Sequence, residues 1–165
     1  NIYPVDLEGG AVAVLYLRLT GDQLVPTTSL SQSDAVRVDF FRKPIGNTPI
    51  FTPIIDEAPI SIIFSGAKNQ KQRLLQFAYT YWPIDYQTKA TYAIKSSTLA
   101  WEELQQGKGY IARYPKDSST AIVRTAYLAY YDTFDPQTYL QPIFIFEGDN
   151  GFIGYVPAVS SEWTE

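Results

Sequence analysis

Ser96–Tyr114 reads SSTLAWEELQQGKGYIARY, Ala121–Phe134 reads AIVRTAYLAYYDTF, and Tyr139–Val159 reads YLQPIFIFEGDNGFIGYVPAV. The first of these is punctuated as a helix. Ser96 or Ser97 can accept from the backbone N–H groups of a first turn, and Gly107 stands where a left-handed residue ends a helix. Ala100, Trp101 and Leu104 recur at three- and four-residue spacing as an apolar stripe. Glu102 and Glu103 are expected in the N-terminal half, favourable against the helix dipole. A helix of about ten residues does not persist alone in water, so it must dock on something. Strand-like runs follow over Ile122–Tyr131, Tyr139–Phe146 and Phe152–Val159. The last two flank Gly148-Asp149-Asn150-Gly151, and Asn-Gly between apolar runs is a strong hairpin signal. Pro142 and Pro157 suggest edges or bulges, since proline cannot donate to a ladder. The expected fold class is α+β, mostly antiparallel β-sheet with one short helix, about Ser97–Gln106, packed on it.

Upstream, Ala11–Thr20 (AVAVLYLRLT) is expected to be a strand whose first half is buried on both sides, because both parities are apolar. Gly21-Asp22 marks a turn, and Val25–Asp34 reads as a polar loop. Ala35–Arg42 sets Val36, Val38 and Phe40 against Arg37 and Asp39, predicting a solvated face on the charged side. Four prolines over Lys43–Pro59 predict an irregular or edge segment. Ile60–Ser65 and Leu74–Trp82 read as a hairpin with a basic tip over Gly66–Arg73, and Lys89–Lys95 as a further short strand. Two lobes are expected, 1–90 and 91–165, or one continuous domain.

Composition narrows the chemistry. Of 165 residues, 45% are hydrophobic and 18% charged, the balance of a chain that buries a core. There is no Cys, which removes disulfides, thiolate nucleophiles and zinc–sulfur sites. There is no His, so no imidazole can serve as proton shuttle or triad base. A formal net charge of −4 disfavours nucleic acid as a partner. The absence of Met leads to the expectation of a processed product or part of something longer, with any signal peptide or membrane anchor lying before Asn1.

The remaining candidates are oxygen donors and aromatic rings. Glu147, Asp149 and Asn150 surround one turn, and Asp132 and Asp135 lie in the preceding loop. The 12-residue calcium loop with its terminal Glu is missing, so Asp149-Asn150-Gly151 reads as turn chemistry. Glu147 with Asp132 or Asp135 is the one carboxylate pair that glycoside hydrolysis could use, given a separation of about 5–9 Å. Lys68, Lys71 and Arg73 read as a solvated hairpin tip, since phosphate sites use glycine-rich backbone donors or helix N-termini. No catalytic residue, metal ligand or cofactor is expected. Tyr79, Tyr81 and Trp82 on one strand and Tyr127, Tyr130 and Tyr131 on another are the candidate interaction surface, because such rings supply rigid area with a polar handle.

Leu99-Ala100-Trp101-Glu102-Glu103-Leu104-Gln105-Gln106-Gly107, Ala126-Tyr127-Leu128-Ala129-Tyr130-Tyr131 and Leu140-Gln141-Pro142-Ile143-Phe144-Ile145-Phe146 together form a pattern over about Tyr92–Val159. It resembles the YycI/YycH-like, PepSY-related extracytoplasmic domains. The resemblance implies a membrane-anchored regulator of a bacterial two-component sensor kinase, with a helix on an antiparallel sheet and no enzymatic activity. It implies no site residues. The expected function is therefore a non-catalytic extracytoplasmic interaction or signalling-regulatory domain of the cell envelope, its partner a protein such as a sensor kinase. Two alternatives come from other classes. One is a glycan-binding or glycan-processing module using Trp82, Tyr81, Tyr131 and Glu147. The other is a structural subunit of a surface assembly.

Overall fold

A computed structural model describes residues 10–160. Ten strands and one α-helix arise in chain order: β1 (Val12–Thr20), β2 (Gln23–Thr27), β3 (Ala35–Phe40), β4 (Ile50–Phe51), β5 (Ile60–Ser65), β6 (Leu74–Tyr79), α1 (Ser97–Gln105), β7 (Tyr110–Arg113), β8 (Val123–Tyr131), β9 (Gln141–Gly148) and β10 (Ile153–Pro157). They build two five-stranded sheets, β2-β1-β3-β5-β6 and β4-β8-β9-β10-β7. Every pairing is antiparallel except β4 with β8. The fold is α+β, as the sequence indicates. The described residues form two compact units, 10–43 with 56–83 and 44–55 with 84–160. The segment 44–55 thus joins the strands that follow residue 84 and supplies β4 as an edge to their sheet.

In the second unit, α1 is capped at both ends. Ser96 Oγ accepts from the Leu99 N–H at 3.2 Å. At the other end Lys108 N–H donates to Glu103 O and Gly107 N–H to Leu104 O, the two reverse bonds of a Schellman motif. Gly107 has φ +74°, where a Cβ is costly. Ala100 and Leu104 pack against Phe144, Phe146, Val156 and Ala158 on one face of the sheet, with Trp101 stacking 5.6 Å from the Phe146 ring. The opposite face gathers Ala129, Ile143, Ile145, Ile153 and Tyr155 beneath Phe51 and Ile55. Both faces being covered, four successive β9 residues, Ile143 to Phe146, are all buried. That is why β9 reads as an unbroken apolar run. Burying each such side chain stabilises by about 1.5–3 kcal/mol.

Several expectations need correction. Glu102 and Glu103 lie in the second half of α1, with no acidic residue in its first turn; Glu103 instead takes Lys95 Nζ at 2.6 Å. Lys89–Lys95 is not a strand: Lys95 N–H to Ala158 O, an Ile94–Val159 bridge and the Lys95 ion pair with Glu103 tie down its end. Tyr110–Arg113, unassigned in the sequence, is β7, paired with β10.

In the first unit, Val25–Asp34 is not all loop. Its start completes β2, which pairs with β1 through the Gly21-Asp22 turn. The β6 strand stops at Tyr79 rather than Trp82. The first half of β1 is not buried on both sides, since Val12 and Val14 are 57% and 53% exposed. The charged side of β3 is not the wet one: Asp39 is 1% exposed and accepts from Arg37 Nε at 2.8 Å with both oxygens. That hydrogen bond raises the Arg37 pKa further, and the fixed cation makes the burial of Asp39 tolerable.

Candidate interaction surfaces

Register places the side chains of the first sheet in rows. Val12–Phe40–Ile60–Tyr79, Val14–Val38–Ile62–Phe77 and Tyr16–Val36–Phe64–Leu74 run across β1, β3, β5 and β6 on one face. No residue in these rows carries a charge. Val12, Val14, Phe64, Leu74, Phe77 and Tyr79 are each between 42% and 57% exposed. Four strands by six residues give a footprint of roughly 400 Å² from strand spacing and rise. Apolar patches of that size are the largest that monomers ordinarily carry and are often functional. At one end the face is closed by Arg42, whose guanidinium lies 4.1 Å over the Tyr81 ring and donates to Trp82 O at 2.6 Å.

The candidate rings divide accordingly. Tyr79 and Trp82 are 44% and 46% exposed, whereas Tyr81 is buried under Arg42. Phe77, Tyr79 and Tyr81 are stepped along one side with ring centroids 6.1 and 6.3 Å apart. Tyr127, Tyr130 and Tyr131 belong to the second unit and do not share a face, because adjacent strand residues alternate. Tyr130 lies on the α1 side of the sheet, opposite Pro142. Tyr127 and Tyr131 lie on the other side, around the buried Tyr155. There Phe51 sits 6.2 Å from Tyr155 and 6.3 Å from Tyr127, and Tyr131 and Tyr110 stand 6.1 and 6.0 Å from Tyr155. The Tyr127 hydroxyl donates to Glu147 Oε1 at 2.6 Å. Burial first, then that hydrogen bond and the carboxylate's charge, push the Tyr127 pKa far above the usual phenol value. Burial also raises that of Tyr131, with Tyr110 adding to it. These three tyrosines are half-buried packing as much as surface.

The carboxylates do not assemble. Glu147 pairs with Thr125 across β8–β9, and Asp132 follows the far end of β8. Seven residues of strand separate the two levels, about 23 Å at the rise of a β-strand. That distance excludes Glu147 and Asp132 as a glycosidase pair. Asp149 is engaged by Arg124, which donates to both its oxygens at 2.9 and 2.8 Å. Those bonds hold its carboxyl below the usual range. Asn150 and Gly151 both have positive φ, 56° and 78°, as the central residues of a type I′ turn require. Among the described residues no three acidic side chains gather as a metal ion would need. Beside the turn a shallow polar depression is lined by Arg113, Lys116, Asp117, Asn150 and Gly151.

Comparison of the chain with protein-family models, curated proteins and solved structures found no match. No helix among the described residues is long and apolar enough to cross a membrane. The apolar face of the first sheet escaped the sequence reading for a physical reason. Its polar opposite, with Arg37, Asp39, Ser61, Ser65 and Gln76, carries the usual marks of a solvated side, so alternation pointed to the wrong face.

Proposed function

We propose that this chain is a non-catalytic interaction or signalling-regulatory domain of a membrane-anchored bacterial envelope protein, working outside the cytoplasm. It would act by presenting the apolar face of its first sheet to a protein partner. The observation that carries this reading is the uncharged set of rows from Val12 to Tyr79, in which Ile60 is buried but six large side chains are exposed. The pattern over Tyr92–Val159 supports the regulatory part of the reading through its likeness to YycI/YycH-like domains, and points to a sensor kinase or another envelope protein as the partner. Burial of such a face is the dominant favourable term in most protein association, and the exposed Phe64, Phe77 and Tyr79 are rigid anchors of the kind that dominate interface energetics.

The test is cross-linking and capture from bacterial envelope fractions, comparing the wild type with a Val14→Lys, Phe64→Lys double variant. Both positions are exposed, so the fold should survive, which circular dichroism checks. The expected result is recovery of a membrane-anchored kinase or envelope protein by the wild type and its loss with the double variant. Equal recovery by the two proteins would overturn the role of this face.

A further inference from the structure

The open face of the first sheet changes character at the tip of the β5–β6 hairpin. A bulge there sets Leu74 and Leu75 together against Phe64, and the three are 55%, 51% and 42% exposed. Beyond them the connection Gly66–Arg73 carries Lys68, Lys71 and Arg73, all exposed, and no acid. On β1, Arg18 follows Tyr16 on the same face by alternation. It stands two strand spacings, about 10 Å, from the tip. None of these four cations is in an ion pair among the described residues. Two carboxylates lie at this end of the sheet. Asp34 accepts from Leu19 N–H at 2.8 Å, and Asp22 belongs to the turn between β1 and β2. In the described part of this unit seven basic residues stand against five acidic ones. Its sign is therefore opposite to the net −4 of the chain.

The tip is held by its own bonds. Ser65 N–H donates to Arg73 O at 2.7 Å, and Ser65 Oγ to Gln72 O at 2.6 Å. Asn69 Oδ1 accepts from Lys71 N–H, Gly66 N–H donates to Asp34 O and Arg73 Nε to Ala67 O, each at 3.1 Å. A connection ordered in this way presents its cations with little further loss of freedom on binding.

We propose that this tip seats on the surface of an anionic lipid bilayer. Phe64, Leu74 and Leu75 enter the boundary between headgroups and acyl chains, and the basic side chains lie among the lipid phosphates. Apolar insertion and attraction to anionic lipid are the two contributions with which peripheral chains hold a membrane. Lys and Arg suit this position because their stems lie along apolar surface while the charged ends stay at the level of the phosphates. The attraction is summed over a charged surface, so it needs neither a glycine-rich cradle nor a helix N-terminus. The size of the patch decides for lipid over an acidic protein. Three apolar side chains and four cations are far fewer than the roughly 20–30 residues that a stable protein interface takes from each side. This seat lies at one end of the face proposed for a protein partner and goes beyond that reading, since vesicles free of protein test it alone.

The test is co-sedimentation with vesicles of phosphatidylglycerol and phosphatidylcholine, set against vesicles of phosphatidylcholine alone. Binding is expected to the charged vesicles only, and to weaken as salt shortens the range of the attraction. A Lys68→Gln, Lys71→Gln double variant should bind about thirtyfold more weakly. A Leu74→Ser, Leu75→Ser double variant should lose about tenfold. All four positions are exposed, and circular dichroism checks that the variants fold. A Lys89→Gln, Lys108→Gln variant, with the same change of net charge in the other unit, should bind as the wild type does. Absence of binding to charged vesicles would overturn the proposal. So would equal binding to uncharged ones, or equal losses from the two lysine pairs, which would make net charge and not the tip responsible.

Discussion

The two sheets have the same number of strands and opposite surroundings. The β4-β8-β9-β10-β7 sheet has α1 on one face and Phe51, Ile55 and a ring of tyrosines on the other, so its central strand is buried along four consecutive residues. The β2-β1-β3-β5-β6 sheet has no α-helix among the described residues of its unit and leaves Val12, Val14, Phe64, Leu74, Phe77 and Tyr79 exposed on one face. A sheet becomes a core only where something covers it. Where no described residue of its own unit does, side chains of the same kind stay exposed.

The sharpest way to break this contrast is to remove one phenylalanine from each sheet. Phe146 is 2% exposed and packs against Trp101 and Phe144, so Phe146→Ala should cost about 3–5 kcal/mol. Phe77→Ala, at a position 57% exposed, should change stability by no more than about 0.5 kcal/mol. Urea denaturation of the two variants checks both; equal losses would mean that the first sheet is covered as well as the second. Next in size is the buried carboxylate on the covered side of the first sheet. Asp39→Ala leaves Arg37 without its bidentate acceptor and should cost about 1.5–3 kcal/mol, read by the same experiment. Ser96→Ala removes the cap of the helix that covers the second sheet and should cost about 1 kcal/mol, seen as a lower thermal midpoint.

The smallest effect appears only in alkali. Tyr127 has its pKa raised in the folded chain by burial and by its bond to Glu147. Its contribution is complete below the unfolded phenol value, about 10, and is lost as pH rises from there toward the folded value. Stability should fall above that pH, and Tyr127→Phe should make the fall shallower. A pH series of denaturation curves, with phenolate absorbance followed alongside, checks this; identical slopes in the two proteins would remove Tyr127 as a contributor.

Much of the second unit was legible because its signals are local. Ser96 and Gly107 cap α1 through bonds made within a few residues, and Asn150-Gly151 turns the chain by its own backbone preference. Pro142 and Pro157 suggest edges or bulges, whereas β9 and β10 lie inside their sheet in regular register at both prolines, and β9 is buried on both faces. Less was legible where a strand depended on a distant neighbour. Short and mixed in composition, β7 exists through its pairing with β10, and Lys89–Lys95 has strand-like residues but a single β-bridge in place of a ladder. Of the candidate tyrosines, the sequence could place Tyr127, Tyr130 and Tyr131 on one strand. Alternation alone then separates Tyr130 from the other two.

By itself the sequence determined the α+β class, the capped helix, the hairpin at Asn150-Gly151 and the absence of thiol or imidazole chemistry, since propensity, turn geometry and side-chain inventory are properties of residues and near neighbours. Only the tertiary structure decided which face of each strand meets water. Alternation states that a strand has two faces, whereas burial depends on what lies above each of them. In β3 the covered face is the one with Arg37 and Asp39, which satisfy each other, and Val36, Val38 and Phe40 were left to the open side. The same holds for the distance between Glu147 and Asp132, which pairing register alone sets.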